Sequence, residues 1–344
     1  MLEIAAAFRR VPGYLDTPSY GLPARATAAA LRRATRAWEQ GTLDPAALDG
    51  SVDRMRAAFA TLVGAGGPQD VALAGSTSQV VGMVAASLPD GARVVVAEGD
   101  FASVPLPFVH DPRLEVRVVP LARIVPETLL GADLVAVSAV QSADGAVVDL
   151  DALAMAARVS GARTLVDASH AAGWMTMRAR DLDVVVASAY KWLGAPRGIA
   201  LAAVRPEASW VRPVNASWYG ADAPWASLYG HDIALSATAR RLDTSPPWQL
   251  VEAGAVALEL LVAQGVEAIG RHSVGLADAF RERVGMAPGA SPIVSVAGVD
   301  PCALARAGVR AAARGGRARL GFYVHNDERD VDAAATAIRV AQPA

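Results

Sequence analysis

Two short apolar runs that end abruptly in polar residues constrain the fold of this chain more than any other feature. The first closes with residues 165–166 and stops at Asp167, and the second spans residues 184–187 and stops at Ser188. Uninterrupted apolar runs bounded by turn residues are typical of parallel strands that are covered on both faces. Ligands of such sheets bind beyond the carboxyl ends of the strands, so we expect a ligand site just after these two runs.

The residue that follows the second run, Lys191, is the only lysine in a chain that contains 32 lysines and arginines. Arginine therefore supplies positive charge everywhere else. A lysine amine can lose its proton and form a Schiff base, whereas a guanidinium stays protonated. A carboxylate at the end of the preceding run, Asp167, would keep a pyridinium nitrogen protonated. This pairing of amine and carboxylate suggests pyridoxal phosphate as the cofactor.

The segment around these residues resembles the cofactor-binding core of the class V aminotransferases, a branch of the fold-type I pyridoxal phosphate enzymes. The resemblance rests on Asp-Ala-Ser-His-Ala-Ala-Gly from residue 167 and Ser-Ala-Tyr-Lys-Trp-Leu from residue 188. The Ser-His pair and the Tyr before Lys are most similar to kynureninase, and Lys-Trp-Leu-x-x-Pro-Arg-Gly also resembles C–S lyases of the thiol-histidine type. The resemblance implies that Lys191 holds the cofactor, that Asp167 contacts its pyridine nitrogen and that His170 touches its oxygen.

The same resemblance implies further cofactor contacts. Gly-Ser-Thr at residues 75–77 is similar to the phosphate turn of the family, and a turn at a helix N-terminus favours an anion. Phe101 occupies the place of the ring that stacks on the pyridine, and Gln141 that of a glutamine that reaches the phenolic oxygen or the substrate. The full set of expected cofactor residues is Ser76, Thr77, Phe101, Gln141, Asp167, His170, Ser188, Tyr190, Lys191 and Ser245.

Substrate binding is expected from both ends of the chain. Arg319 falls on the position of the substrate-carboxylate arginine, which suits a guanidinium fork, although Arg314 and Arg317 compete for this role. Tyr20 belongs to an opening Tyr-Leu-Asp segment that approaches the active site in the family, and it is our second candidate for substrate contact.

A homodimer is implied by two segments. Ser245, or alternatively Thr244, takes the place of a hydroxyl residue that reaches the phosphate of the partner subunit in the family. Residues 210–230 are rich in Trp and Tyr, and clustered exposed aromatic side chains usually mark an interface.

The periodicity along the chain predicts an α/β fold. A helix over residues 25–40 would bury Ala28, Leu31, Thr35 and Trp38, and a second helix spans residues 51–63. The resemblance implies a fold-type I enzyme with an N-terminal arm and large cofactor-binding domain at 1–240 and a small α+β domain at 241–344. Strands near residues 71, 93, 115, 134, 164, 184 and 200 suggest a mostly parallel seven-stranded sheet.

Composition excludes several classes of function. The net charge of −2 gives no electrostatic reason to expect nucleic acid or an anionic membrane as a partner. We find no run of about 18 apolar residues and no signal peptide, so a cytoplasmic location is expected. The single cysteine rules out an internal disulfide, and the five histidines lack the spacing of zinc ligands.

The reaction type stays open at this stage. The expected function is a pyridoxal-phosphate-dependent enzyme that acts on an amino acid, either as an aminotransferase or as a β-eliminating C–S lyase. A kynureninase-like hydrolase and a non-catalytic cofactor-binding protein are the alternatives. Persulfide-forming desulfurases need a mobile cysteine before the Arg319 position, and residues 308–318 contain none. Cys302 is predicted to be a small buried residue at the start of a helix.

Overall fold

A seven-stranded sheet forms the centre of the computed structural model, which describes residues 2–341. Its strands are β1 (Val71–Ala74), β2 (Arg93–Ala97), β3 (Glu115–Val119), β4 (Leu134–Ser138), β5 (Arg163–Asp167), β6 (Val184–Ser188) and β7 (Ala200–Val204). Their order is β1-β7-β6-β5-β4-β2-β3. The pairs from β3 to β6 are parallel, and β7 is antiparallel to both of its neighbours. The expected mostly parallel seven-stranded sheet is therefore confirmed.

The two strands that open the site lie side by side. β5 and β6 pair in parallel, and Asp167 is opposite Val186 in the register. The carboxyl ends of both strands consequently meet at the same edge of the sheet, where Asp167 and Ser188 end their strands. This juxtaposition brings the two sequence motifs to one crevice, as expected for an open α/β sheet.

Helices cover both faces of the sheet. Seven helices accompany it along the chain: α1 (Arg25–Glu39), α2 (Asp49–Val63), α3 (Thr77–Ser87), α4 (Leu106–Val109), α5 (Pro126–Leu129), α6 (Leu150–Ser160) and α7 (Trp248–Gln264). On one face Val166 packs in the same core as Phe59 of α2 and Leu258 of α7. On the other face Leu165 packs in the same core as Val84 of α3. Alternate residues of β5 thus enter different cores, which explains the uninterrupted apolar runs.

The expected buried face of α1 is wrong. Trp38 is 63 % exposed and Thr35 is also exposed, whereas Thr27, Ala30 and Ala34 are buried. α1 packs against α7, and the buried residues of α1 have small side chains. Small residues let two helices approach closely. Trp38 was expected to be buried because its side chain is large and apolar, but it lies on the exposed face of the helix.

The C-terminal part of the chain builds a smaller layer. It contains α8 (Val266–Arg283), β8 (Ile293–Val296), α9 (Pro301–Arg306), β9 (Ala312–Arg314), β10 (Arg317–Gly321) and α10 (Glu328–Ala341). The three strands form an antiparallel sheet of order β8-β10-β9. Its core contains Phe280, Phe322 and Ile338, together with Leu15 from the N-terminal segment, whereas α7 packs in the core of the large sheet. A division of the chain at residue 240 stays a prediction.

The N-terminal segment ties the small sheet to the loop that carries the lysine. The Gly321 N–H donates to the Leu15 carbonyl at 2.8 Å, and the Gly21 N–H donates to the Tyr190 carbonyl at 2.8 Å. A Cβ atom added at Gly21 would lie 1.8 Å from the Lys191 carbonyl oxygen, so no larger residue fits this approach. The segment therefore connects the two parts of the molecule at the site itself.

No single helix in the part of the chain that the structure describes is long and apolar enough to cross a membrane. The consecutive pair α7 and α8 passes the same test of length and composition when joined, but it bends by 82° between the two helices.

Candidate active site

A cavity of about 160 Å³ opens where β5 and β6 end. It brings together seven residues that the sequence singled out: Ser76, Thr77, Phe101, Asp167, Ser188, Tyr190 and Lys191. It also contains Gly75 of the expected phosphate turn and four residues that received no role from the sequence: Ser78, Ser103, Ser169 and Arg197. The cavity therefore combines one amine, one carboxylate, a group of hydroxyls and aromatic rings.

Lys191 lies in the turn after β6 and is only 7 % exposed. Burial lowers the pKa of its amine to about 8, because the charged form loses water, while Asp167 opposes this shift and Arg319 adds to it. Nζ of Lys191 lies 2.9 Å from Nε2 of His170. An amine with a pKa this close to neutrality is readily available as a nucleophile or a base.

His170 is buried, and burial holds the pKa of its imidazole well below the usual range. The ring is therefore neutral at pH 7. Its Nδ1 faces the indole Nε1 of Trp192 at 3.3 Å, and an indole N–H can only donate a hydrogen bond. Nδ1 must then be the acceptor, which assigns the ring proton to Nε2. The imidazole consequently presents an N–H to the centre of the site.

Asp167 ends β5 with 5 % of its surface exposed. Its Oδ1 accepts a hydrogen bond from the Ser169 N–H at 2.8 Å. Burial raises the pKa of this carboxyl, and the charge of Lys191 and the Ser169 hydrogen bond counteract the rise. A protonated ring nitrogen next to Asp167 would supply the cation that stabilises the ionised carboxylate. The carboxylate thus fits the role of partner to a pyridinium.

A cluster of hydroxyls lines the opposite part of the cavity. Thr77 Oγ1 lies 2.8 Å from Ser188 Oγ and 3.1 Å from Ser169 Oγ, and the Ser188 N–H donates to Ser169 Oγ at 2.9 Å. Ser76 is the N-cap of α3, and its Oγ accepts from the Gln79 N–H at 3.2 Å. Hydroxyls at the first turn of an eleven-residue helix suit a phosphate group, because helix N–H groups there lack intrahelical partners.

Aromatic rings form one wall of the site. The ring of Phe101 is 44 % exposed and its centroid lies 5.2 Å from Nζ of Lys191. The Tyr20 and Tyr190 rings lie 5.4 Å apart, and the Arg197 guanidinium lies 4.8 Å from the Tyr190 ring. An exposed ring beside the amine is available for stacking on a flat heteroaromatic group. Taken with the carboxylate and the hydroxyl cluster, these donors fit pyridoxal phosphate.

His170, Arg319 and Gln141 are not among the residues that line this cavity, although His170 contacts Lys191 within it. Arg319 is 1 % exposed, and its Nη1 donates to the carbonyl and the hydroxyl of Ser142 at 2.7 and 3.0 Å. Gln141, the neighbour of Ser142, is buried and its Nε2 lies 3.4 Å from the Ser138 carbonyl. Nη2 of Arg319 donates to Ser19 Oγ at 2.8 Å, next to Tyr20. The competing Arg317 donates instead to the hydroxyl and the carbonyl of Ser295.

Ser245 does not join the residues of this cavity. It is exposed just before α7, and Thr244 beside it is half-buried. A contact from either hydroxyl to the phosphate of a partner subunit stays a prediction.

The expectation that Cys302 is buried is wrong. Cys302 is exposed in the first turn of α9, where its N–H donates to the Asp300 side chain at 2.9 Å. Leu304 is the residue of this helix that enters the core. Helical spacing alone did not reveal which face of so short a helix points inward. Cys302 is also absent from the residues that line the cavity.

The aromatic stretch at residues 210–230 is partly folded on itself. Tyr219 is 1 % exposed, and its hydroxyl donates to Asp49 at 2.6 Å, so the expectation of an exposed cluster fails for this residue. Trp218 and Trp225 pack with their ring centroids 5.1 Å apart. Tyr229 is 92 % exposed and Trp225 is 39 % exposed, so part of the stretch does face outward.

The hydroxyls that sequence reasoning missed carry little signal of their own. Ser78 and Ser103 are hydrogen-bonded to each other at 2.9 Å, although 25 residues separate them in the chain. Serine is common in turns and helix caps, so neither position stands out by composition. Ser169 lies in the motif that follows β5, and Arg197 lies in the motif that follows Lys191. Their positions in these motifs could have indicated that they lie near the site.

Comparison with protein families gives one match that covers most of the chain. The model for aminotransferases of class V matches residues 46–300. A curated protein of Bacillus subtilis (strain 168), the uncharacterized aminotransferase YcbU, is 32 % identical over 227 residues, which is 62 % of this chain and 60 % of that protein. The match thus spans less than two thirds of the length of this relative.

Solved structures share the fold over nearly the whole chain. The cysteine desulfurase CsdA from Escherichia coli has a TM-score of 0.83 at 20 % identity, over 98 % of this chain and 97 % of that one. The cystine C–S lyase C-DES, in complex with its reaction product cysteine persulfide, has a TM-score of 0.82 at 16 % identity, over 96 % and 98 %. At these identities the likeness establishes the fold.

Proposed function

This chain belongs to the class V aminotransferase family, and on that basis we propose that it is a pyridoxal-phosphate-dependent enzyme that acts on an amino acid. The observation that supports this most is the buried amine of Lys191, 2.9 Å from His170 and next to Asp167 in a cavity lined by hydroxyls. A structure of the C–S lyase C-DES with glycine covalently linked to the cofactor shares this fold at a TM-score of 0.81, which is consistent with the proposal.

Each side chain of the site has a proposed role toward the cofactor. Bound pyridoxal phosphate supplies an electron sink that stabilises negative charge at the substrate Cα. Lys191 would hold the cofactor through its amine. Asp167 would pair with the protonated ring nitrogen, and His170 would donate from Nε2 to the phenolic oxygen. Phe101 would stack on the ring, and Gln141 would reach the phenolic oxygen or the substrate. The proposed phosphate ligands are Ser76, Thr77, Ser188 and Tyr190 of one subunit and Ser245 of the partner subunit.

Lys191 would carry out the proton transfers once the amino group of the substrate has taken its place on the cofactor and released its amine. A group whose pKa is about 8 can take a proton from the substrate Cα and return it near neutral pH. The imidazole of His170 stays neutral, because burial lowers its pKa, and it therefore donates a hydrogen bond without competing for that proton. Asp167 would keep the ring nitrogen protonated, and the ring could then accept electron density from the substrate Cα. Replacement of Asp167 by alanine should therefore remove most activity and leave the fold intact.

We propose two reactions for this site, transamination and β-elimination of the C–S lyase type. In both, Lys191 would remove the Cα proton, and the two would differ in whether Lys191 returns that proton toward the cofactor or a leaving group departs from Cβ. Transfer of sulfur to the protein is not proposed, since residues 308–318 contain no cysteine and Cys302 does not line the cavity. Phe101 and Tyr190 also favour a kynureninase-like hydrolysis as the alternative.

We further propose that the enzyme is a cytoplasmic homodimer with composite sites. The exposed Trp225 and Tyr229 provide apolar surface for a second copy, and Ser245 is exposed and free of the subunit's own cavity. Sedimentation at nanomolar concentration, with activity measured in parallel, tests this point. A fully active monomer would contradict it.

The experiment that tests the proposed function mixes the cofactor-loaded protein with single amino acids, thiol-histidine conjugates and kynurenines, each together with 2-oxoglutarate as the acceptor of the amino group. Pyruvate with ammonia indicates elimination, a keto acid without ammonia indicates transamination, and anthranilate indicates kynurenine hydrolysis. Lys191→Ala is the matched control and should abolish turnover of every substrate. A yellow protein with no turnover over the whole panel would support the non-catalytic alternative instead.

A further inference from the structure

Two arginines of different burial converge on one serine hydroxyl at the edge of the site. Nη2 of the buried Arg319 donates to Ser19 Oγ at 2.8 Å, and Nη2 of Arg314 donates to the same oxygen at 3.3 Å. Arg319 is 1 % exposed on β10, whereas Arg314 is exposed at the end of β9. The two guanidinium groups are therefore neighbours although they differ in their freedom to move.

The distance between these groups matches the reach of a single carboxylate. Because both Nη2 atoms contact Ser19 Oγ, they are at most about 6.1 Å apart, the sum of the two hydrogen-bond distances. Each oxygen of a carboxylate accepts a charge-assisted hydrogen bond of about 2.8 Å. One carboxylate can consequently accept from both guanidinium groups at once.

The two cations are only partly compensated within the described residues, because Asp16 forms a long ion pair with Arg319 and no ion pair involves Arg314. Nε of Arg319 has no hydrogen-bond partner there, nor does Oδ1 of Asp16, which lies 3.9 Å from Nη2 of Arg319. Burial and the charge of Arg314 lower the pKa of Arg319 to about 10. Two adjacent cations and an unpaired buried N–H are unfavourable, and a bound anion would relieve both costs.

The segment that carries Ser19 also contacts the loop that carries Lys191, because Gly21 donates to the Tyr190 carbonyl. The charges of Arg319 and Arg314 both contribute to lowering the pKa of Lys191 and of His170. Ser19 also precedes Tyr20, whose ring packs against Tyr190. An anion held between the two arginines would thus lie beside the reaction centre.

We propose that Arg314 is a second carboxylate-binding residue, which binds the same carboxylate of the amino acid as Arg319. The carboxylate would replace the hydroxyl of Ser19 as the acceptor of both arginines. This inference rests on the proposed function in that its ligand is an amino acid. Arg319 is held rigidly by Ser142, so it fixes the position of the carboxylate. Arg314 closes on the bound anion from the β9–β10 hairpin and adds affinity.

The test compares Arg314→Gln with Arg317→Gln in the cofactor-loaded protein. Arg317 lies opposite Arg314 in the same hairpin, but its guanidinium is bound to Ser295, which makes it a matched control. The change in cofactor absorbance is titrated with L-alanine and with L-alaninamide. We expect Arg314→Gln to weaken L-alanine binding about tenfold and L-alaninamide binding less than twofold, and Arg317→Gln to change neither by more than twofold.

A second measurement keeps this inference separate from the proposed function. Propionate, but not propionamide, should raise the Tm of the wild type, and Arg314→Gln should lose most of that rise while Arg317→Gln keeps it. This rise would support the carboxylate site even if no amino acid reacts. Equal weakening of the acid and the amide, or no effect of Arg314→Gln on either measurement, would overturn the proposal.

Discussion

Nζ of Lys191 lies 2.9 Å from Nε2 of His170, and the imidazole is held from its other side by the indole N–H of Trp192. The three side chains therefore form a directed chain of hydrogen bonds. Because the indole can only donate, the imidazole must accept at Nδ1 and donate at Nε2. Burial lowers the pKa of the lysine amine to about 8, and the neutral amine can accept a hydrogen bond from this N–H.

The lowered pKa of Lys191 predicts how the stability of the cofactor-free protein depends on pH. The pKa is about 8 in the folded chain against 10.5 for the unperturbed amine. Between these two values the unfolded state binds more protons, so stability rises with pH across this window. Below pH 8 both states are protonated, and the full cost of burying the charge is present.

Lys191→Met should therefore raise the Tm of the cofactor-free protein at pH 7, and this gain should shrink as the pH rises from 8 to 10.5. Thermal unfolding of both proteins over that range measures the difference. Arg36→Met, an exposed change on α1, serves as the control and should give a flat difference. A gain from Lys191→Met that does not vary with pH would show that the amine is not buried as a charge.

The orientation of His170 should depend on Trp192. Trp192→Phe removes the donor to Nδ1 and lets the ring proton occupy either nitrogen, so we expect turnover to fall about fivefold to tenfold. The pH midpoint of the cofactor absorbance should shift as well, which a purely structural defect would not cause. Trp174→Phe is the matched control, because the Trp174 indole donates to the backbone carbonyl of His170 at 2.7 Å. Equal midpoints in the wild type and Trp192→Phe would contradict this role.

The architecture of the large sheet follows from the sequence because most of its strands are local apolar runs. The residues of β5 and β6 are buried on both faces, and their polar ends reach the same edge without any long-range information. The sequence could therefore predict that Asp167 and Lys191 lie close together. Helix faces were less predictable, since Trp38 of α1 is exposed and the buried residues of this helix are the small Thr27, Ala30 and Ala34.

Contacts between distant segments could not be predicted in the same way. Arg314 and Ser19 are 295 positions apart, and their hydrogen bond depends on how the N-terminal segment crosses the small sheet. Serine carries no signal for such a partner, and an arginine in a chain rich in arginine carries little. Ser78 and Ser103 were missed for the same reason.

Gly21 should be intolerant of any side chain. Its hydrogen bond to Tyr190 places the site of a Cβ 1.8 Å from the Lys191 carbonyl, so Gly21→Ala must displace the backbone of the lysine loop. We expect a loss of stability of about 1–3 kcal/mol and weaker cofactor binding. Gly50→Ala is the control, because nothing lies within 4 Å of its Cβ position. Denaturant unfolding and cofactor titration of both variants test this, and equal behaviour would refute it.

Cys302 should be dispensable for turnover. It is exposed on α9 and does not line the cavity, so Cys302→Ser should keep activity within about twofold, as expected for a surface change. Its exposure also predicts ready alkylation by iodoacetamide in the folded protein. A well-folded Cys302→Ser protein without activity, together with a persulfide trapped on the wild type, would place this chain among enzymes that transfer sulfur through cysteine.

The most direct test of the account locates the attachment of the cofactor. The chain has a single lysine, so a primary amine other than that of Lys191 exists only at the N-terminus. Borohydride reduction of the loaded protein, followed by digestion and mass spectrometry, should find the cofactor on the peptide that contains Lys191, and Lys191→Ala should carry none there. An adduct on the N-terminal amine alone, or no bound cofactor at all, would contradict the central claim.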